Sequence, residues 1–97
     1  MVALPPELTQ HTAAQCLPGC LAALRAEAAG AGTARDAVST VEVDAAEVQR
    51  FDSVALAVLL ALRREALLLG KGYAVRNLPV GLQRLATLYG IDTLLLA

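Results

Sequence analysis

The chain has 97 residues, of which 57% are hydrophobic and 18% are charged, and its formal net charge is −1. This length suits one domain with a single core, and the apolar content excludes a disordered chain. The eight basic residues are scattered and there are three aromatic residues, which excludes the basic stacking surfaces that bind nucleic acid.

The apolar segments are too short for a membrane-spanning helix. The longest run, from Val54 to Leu62, is about half of the roughly 20 residues that a span requires. The first residues, Met1 to Glu7, contain neither the basic segment nor the apolar segment of a signal peptide. We therefore expect a soluble cytoplasmic protein that does not itself insert into a membrane.

The first part of the chain predicts a short strand followed by a long helix. Residues 2–4 form the strand, which stops at two prolines because proline cannot donate a hydrogen bond to a sheet. The helix runs from Thr9 or Thr12 to Ala29, and Leu17 lies in its buried stripe. Pro18 either kinks this helix or opens a new one.

Strands and helices then alternate to the end of the chain. Residues 38–44 are rich in β-branched side chains and predict a strand, and residues 53–69 predict an apolar central helix. Residues 73–77 predict another strand, and Pro79 opens a further helix. Residues 91–97 predict either a last strand or a final helical turn. This alternation predicts a small α/β domain over residues 1–97, with a mostly parallel sheet of about four strands and helices mainly on one face.

No catalytic or metal site is predicted. Ser53 has Asp52 beside it, but the single histidine, His11, is far along the chain, and no G-x-S-x-G motif is present. Cys16 and Cys20 share one helix face without a second pair of ligands, so we interpret them as packed thiols. We expect a protein that is not an enzyme and uses neither a cofactor nor a metal.

The start of the central helix is the candidate site. Asp52 and Ser53 can both accept hydrogen bonds from the first turn, so Ser53 is either a helix cap or a functional hydroxyl. It lies at the carboxyl end of a strand, where α/β proteins usually carry their functional groups. An exposed first turn would make Ser53 a contact point for a partner, or a switch if it were phosphorylated.

The order of motifs resembles a STAS domain, the fold shared by anti-sigma-factor antagonists and the cytoplasmic tails of sulfate transporters. The resemblance covers essentially the whole chain, and the phosphorylatable residue after aspartate in that family matches Ser53. The segments that carry it are Val43-Asp44, Phe51-Asp52-Ser53, Leu56 to Leu62, Asn77-Leu78-Pro79 and Leu88-Tyr89-Gly90-Ile91.

Two segments, Glu7-Leu8-Thr9 after the first strand and Leu85 to Ile91 near the end, look like the small STAS subunit of bacterial Mla-type phospholipid ABC transporters, in which an ATPase is assembled with a permease. The resemblance implies a non-catalytic subunit that binds and supports the transporter's ATPase, at the inner face of the inner membrane, in maintaining outer-membrane lipid asymmetry. We expect the partner-binding residues to be Asp52, Ser53, Val54, Ala55, Leu56, Leu78 and Pro79.

The alternative that the resemblance leaves open is an anti-sigma-factor antagonist, switched when a partner kinase phosphorylates Ser53. Many antagonists carry a glycine two residues after this serine, whereas Val54 and Ala55 follow it here. A STAS module that binds a small molecule is a third hypothesis, for which the sequence offers no dedicated polar pocket.

Overall fold

The computed structural model of the chain describes residues 2–31 and 40–95. Strands and helices alternate along these residues. The strands are β1 Val2–Ala3, β2 Glu7–Leu8, β3 Thr40–Asp44, β4 Arg50–Phe51 and β5 Gly72–Arg76. The helices are α1 Ala13–Ala31, α2 Ser53–Leu68, α3 Val80–Leu88 and α4 Asp92–Leu95.

The strand pairs of the described residues are parallel, as predicted, but they form two sheets. β3 lies between β1 and β5 in a three-stranded sheet, and β2 pairs with β4. The prediction of one sheet of about four strands therefore needs correction. The chain leaves the first sheet at Pro5, and the carbonyl of Pro6 accepts hydrogen bonds from the N–H groups of Gln49 and Arg50 at 2.7 and 3.0 Å. These hydrogen bonds lead into the pairing of β2 with β4, which lies just before the start of α2.

Helix α1 is continuous through Pro18, so the predicted alternative of a new helix at this proline is wrong. Pro18 is exposed and has no N–H to donate to the preceding turn. The buried side of the helix carries Cys20 and Leu24. Cys16 and Leu17, before the proline, are partly buried against the same core, so the helix is packed on both sides of Pro18.

The other boundaries differ little from the prediction. The chain after Gly90 forms the short helix α4 and not a strand. Pro79 caps α3, which starts one residue later. Residues 38–39 of the predicted strand, and residues 96–97 of the tail, lie outside the described residues.

The core lies between the helices and one face of the three-stranded sheet. Val41 and Val43 point from β3 into this core, and Leu59 and Leu62 point into it from α2. All four side chains are almost completely buried. Their spacing follows the periods of the strand and the helix, two and 3.6 residues, which places each pair on one face of its element.

The other face of the sheet is polar. Glu42 on β3 and Arg76 on β5 form an ion pair there, with 2.8 Å between Glu42 Oε2 and Arg76 Nε. Hydrogen bonding to the guanidinium lowers the pKa of Glu42 and raises that of Arg76. A face of this composition is suited to solvent, and it confirms that the helices pack mainly on one side.

Candidate partner-binding site

Helix α2 begins with a capping carboxylate. Asp52 is the extended residue just before the helix, and its Oδ1 accepts a hydrogen bond from the N–H of Val54 at 2.9 Å. Aspartate is favoured at this position because the first N–H groups of a helix have no acceptor within the helix. Asp52 is therefore the cap, Ser53 is the first helical residue, and the interpretation of Ser53 as the cap is wrong.

The same carboxylate also holds the segment before α1. Asp52 Oδ2 accepts a hydrogen bond from the N–H of Gln10 at 3.0 Å, across 42 positions of sequence. The pairing of β2 with β4 brings the two segments together, since Leu8 is in register with Phe51. One side chain thus fixes the start of α2 and the turn that precedes α1.

Hydrogen bonds within this turn give it a defined shape. Thr12 Oγ1 donates to the carbonyl of Glu7 at 3.1 Å and accepts from the N–H of Thr9 at 3.1 Å. Thr9 Oγ1 donates to the Glu7 carboxylate at 2.8 Å, and it accepts from the N–H of His11 at 3.3 Å. Gln10 and His11 are exposed on this turn, close to the start of α2.

Ser53 projects into solvent from the supported first turn of α2. It is exposed, and its hydroxyl has no hydrogen-bond partner among residues 2–31 and 40–95. Ala57 is also exposed and lies on the same helix face, because residues four apart are neighbours on a helix. Val54 is half-buried beside them. The exposed start of α2 is therefore a small surface of short side chains that carries the Ser53 hydroxyl.

The structure separates the residues predicted for partner binding into three groups. Ser53 is exposed, while Asp52, Val54 and Pro79 are half-buried. The remaining three lie in the core and are almost fully buried: Ala55, Leu56 and Leu78. They pack beneath the start of α2 and α3 and have almost no exposed area with which to contact a partner.

The beginning of α3 lies beside the beginning of α2. Gly81 packs so closely against Phe51 that a Cβ at this glycine would lie 2.9 Å from the Phe51 Cζ atom. Val80, the neighbouring residue, is 63% exposed. Val80, Gly81 and Ala57 were not among the residues predicted from the sequence. The four-residue spacing from Ser53 could have indicated Ala57, whereas the other two are brought here by the crossover from β5.

The connection into α3 is also held at the ends of the strands. Asn77 follows β5 with a φ of 59°, a left-handed conformation that asparagine tolerates better than most residues. Its side-chain amide donates to Asp44 Oδ1 at 3.0 Å, and the N–H of Ala46 donates to the same oxygen at 2.9 Å. These hydrogen bonds lower the pKa of Asp44 and fix the turn that leads to Leu78 and α3.

A comparison with protein families decides what kind of domain this is. The family model described as "Mlab, STAS domain" matches residues 7–97, nearly the whole chain. The chain belongs to the STAS family. No curated protein matches it. STAS domains are generally non-catalytic and mediate contacts between proteins.

The two thiols of this STAS domain lie on α1. Cys20 is buried and Cys16 is half-buried, and both are free. Burial raises the pKa of Cys20, and the neighbouring thiol of Cys16 adds to this shift. They border an open groove of about 400 Å³ between β1 and α1, which Glu47 also lines.

Neither a metal centre nor a membrane span is found in the STAS domain as far as the structure describes it. Residues 2–31 and 40–95 contain no group of three or more His, Cys, Asp or Glu side chains that could hold a metal ion. Of the helices described, none combines the length and the apolar character that crossing a bilayer requires.

Proposed function

We propose that this STAS domain is the small, non-catalytic subunit of an Mla-type phospholipid ABC transporter, of the kind called MlaB. In this role it binds the transporter's ATPase in the cytoplasm, at the inner face of the inner membrane. The contact surface comprises Ser53, Ala57 and the half-buried Val54 of α2, together with Val80 and Gly81 of α3. By assisting the ATPase it contributes to lipid asymmetry in the outer membrane.

The exposed start of α2 is the observation that carries this proposal. Ser53 lies on a helix end that Asp52 anchors through hydrogen bonds to Val54 and Gln10. A rigid surface loses little conformational entropy when a partner binds, which favours association. Val80 provides exposed apolar area beside it. The match to an MlaB-type family over residues 7–97 supports an ATPase as the partner.

Co-purification with the Mla-type ATPase of the same organism tests the proposal. We expect Ser53→Glu to abolish binding, because a carboxylate would be placed in the centre of the small contact surface. The fold should tolerate this change, since a negative charge is favourable in the first turn of a helix. Val54→Glu should also abolish binding, although its half-buried position makes it the less selective variant.

Ala26→Glu is the matched control, because Ala26 is exposed on α1 and the substitution adds the same charge elsewhere. Far-UV circular dichroism should show that all three variants are folded. The proposal requires the control to bind like the wild type. If folded Ser53→Glu is still recovered with the ATPase, this surface is not the contact.

A second candidate function is that of an anti-sigma-factor antagonist. The observation in its favour is the Ser53 hydroxyl, which is exposed and lacks a hydrogen-bond partner in the described part of the chain, so that a kinase could reach it. Intact-mass spectrometry of protein isolated from its own cells distinguishes the two functions. A phosphate that disappears in Ser53→Ala would favour the antagonist, and a mass that stays unmodified would favour the transporter subunit.

A further inference from the structure

Acidic residues predominate before the start of α2, and basic residues predominate after it. Up to Asp52 the chain has seven acidic and three basic residues, and from Ser53 onwards it has two acidic and five basic residues. Helices α2 and α3 both belong to the second part, and together they carry three arginines, Arg63, Arg64 and Arg84, and one acidic residue, Glu65. The helices that form the proposed contact surface therefore carry a net positive charge.

Two of these basic residues are exposed and have no acidic partner in the part of the chain that the structure describes. Arg76 pairs with Glu42 on the polar face of the sheet. Glu65 of α2 forms an ion pair with Arg25, with 3.0 Å between Glu65 Oε2 and Arg25 Nε. Arg64 on α2 and Arg84 on α3 are exposed, and neither forms an ion pair within residues 2–31 and 40–95.

Both arginines lie on the outer faces of their helices. On α2, Arg64 follows Ser53 by 11 residues, about three helical turns, so the two share one face. On α3, Arg84 lies one turn after Val80 and one turn before Leu88. Gly81 of α3 packs against Phe51, two residues before α2, so the two helices begin near each other. We call the exposed residues of these two faces the α2–α3 face: Ser53, Ala57, Arg64, Leu68, Val80, Arg84 and Leu88.

Exposed apolar side chains lie one helical turn from each arginine, Leu68 from Arg64 and both Val80 and Leu88 from Arg84. Leu68 is 72% exposed, Val80 63% and Leu88 75%. Protein interfaces combine exposed apolar groups with arginine in this way, because a guanidinium can bind a carboxylate through two parallel hydrogen bonds. Binding to anionic lipid usually involves a cluster of about four to eight basic residues, more than the two found here.

We infer that the α2–α3 face extends the Ser53 contact surface and binds an acidic, partly apolar surface of a protein partner. This inference rests on the proposed function, in which the partner is the transporter ATPase. Carboxylates of the ATPase lie opposite Arg64 and Arg84, and its apolar side chains cover Val80, Leu68 and Leu88. Charge complementarity of this kind mainly increases the association rate and the selectivity for one partner.

The experiment measures the affinity of the domain for the purified Mla-type ATPase at about 50 mM and about 500 mM NaCl, between which charge screening increases strongly. At low salt we expect Arg64→Gln and Arg84→Gln each to weaken binding roughly three- to tenfold, mainly through slower association. At high salt their affinities should approach that of the wild type. Arg76→Gln, which removes one positive charge from the opposite face of the sheet, should change the affinity less than twofold.

Three other results would refute this inference, and they differ in what they imply for the proposed function. If the double variant Arg64→Gln/Arg84→Gln binds like the wild type while Ser53→Glu does not bind, the basic face is refuted and the proposed function stands. If the wild type itself does not bind the ATPase, both are refuted. If the double variant loses only co-sedimentation with vesicles of phosphatidylcholine and phosphatidylglycerol, the face binds anionic lipid and the inference of a protein occupant is wrong.

Discussion

The N–H of Gln10 donates a hydrogen bond of 3.0 Å to the Asp52 carboxylate, although the two residues are 42 positions apart. The other oxygen of this carboxylate accepts from the N–H of Val54 and caps α2. A residue that a sequence reader interprets as a local cap is therefore also a long-range connection. It fixes the helix start on which the proposed contact residue, Ser53, is carried.

Asp52→Ala should destabilise the domain and disturb the turn before α1. Loss of a capping side chain costs about 0.5–2 kcal/mol of unfolding free energy, and loss of the bond to Gln10 adds to this. The unfolding free energy of Asp52→Asn should lie between those of Asp52→Ala and the wild type, because an asparagine oxygen can still accept the hydrogen bond from the N–H of Val54. Urea denaturation measures all three proteins. Equal unfolding free energies for alanine and the wild type would show that the carboxylate does not hold the two segments.

Ser53→Ala should leave the stability of the domain unchanged to within about 0.5 kcal/mol. The serine is exposed, is not the cap, and its hydroxyl forms no hydrogen bond within the described residues. Thermal and urea unfolding check this expectation. A loss comparable with that of Asp52→Ala would mean that the hydroxyl has a structural role, and binding defects of Ser53 variants would then need another explanation.

Leu62→Ala should destabilise the fold by about 2–5 kcal/mol, because it leaves a cavity in a packed core. Leu62 is completely buried, whereas Leu68, on the same helix, is 72% exposed. Leu68→Ala is therefore the matched control and should change the unfolding free energy by less than about 0.5 kcal/mol. Urea denaturation measures the unfolding free energy of both variants. Similar losses of stability in the two would contradict the assignment of the buried face of α2.

Tyr73→Phe should cost about 0.5–1.5 kcal/mol near neutral pH, because it removes the hydrogen bond of 2.9 Å from the tyrosine hydroxyl to the carbonyl of Leu59. Chemical denaturation of the variant and the wild type near pH 7 measures this difference. A variant as stable as the wild type would indicate that the bond contributes nothing to folding.

The pH dependence of the same variant provides a further prediction. Burial raises the pKa of Tyr73 well above its ordinary value, and the neighbouring Arg63 offsets the shift only in part. A folded-state pKa above the unfolded value of about 10 means that this contribution is complete below pH 10 and is lost as the pH rises further. Between about pH 8 and about pH 11 the wild type should therefore lose more stability than Tyr73→Phe. Parallel losses in the two proteins would refute this role of Tyr73.

Local chemistry made much of the fold predictable. The β-branched residues of β3, the apolar run of α2 and the position of Pro79 marked elements that the structure confirms to within a few residues. The β2–β4 pair could not be read in this way, because each strand has two residues and neither shows a period. The paired prolines indicated the end of β1, but they did not indicate a second sheet.

The candidate site was only partly visible for a related reason. Nine apolar residues in succession, from Val54 to Leu62, contain no polar positions that would mark the outer face of α2. The structure buries Ala55 and Leu56 and exposes Ser53 and Ala57. A uniform apolar run predicts a helix and its length, but packing against the sheet decides which of its residues face inward.

Apart from the motifs that resemble a STAS domain, the sequence by itself indicated an α/β fold and a polar pair, Asp52 and Ser53, that opens its central helix. These features follow from backbone hydrogen bonding and from the spacing of apolar residues, which depend on neighbours along the chain. Only the tertiary structure decided that Asp52 also holds Gln10, that Leu78 is buried, and that Gly81 of α3 packs against Phe51, just before α2. Those relationships depend on segments that meet only when the parallel strands pair and the helices pack across them.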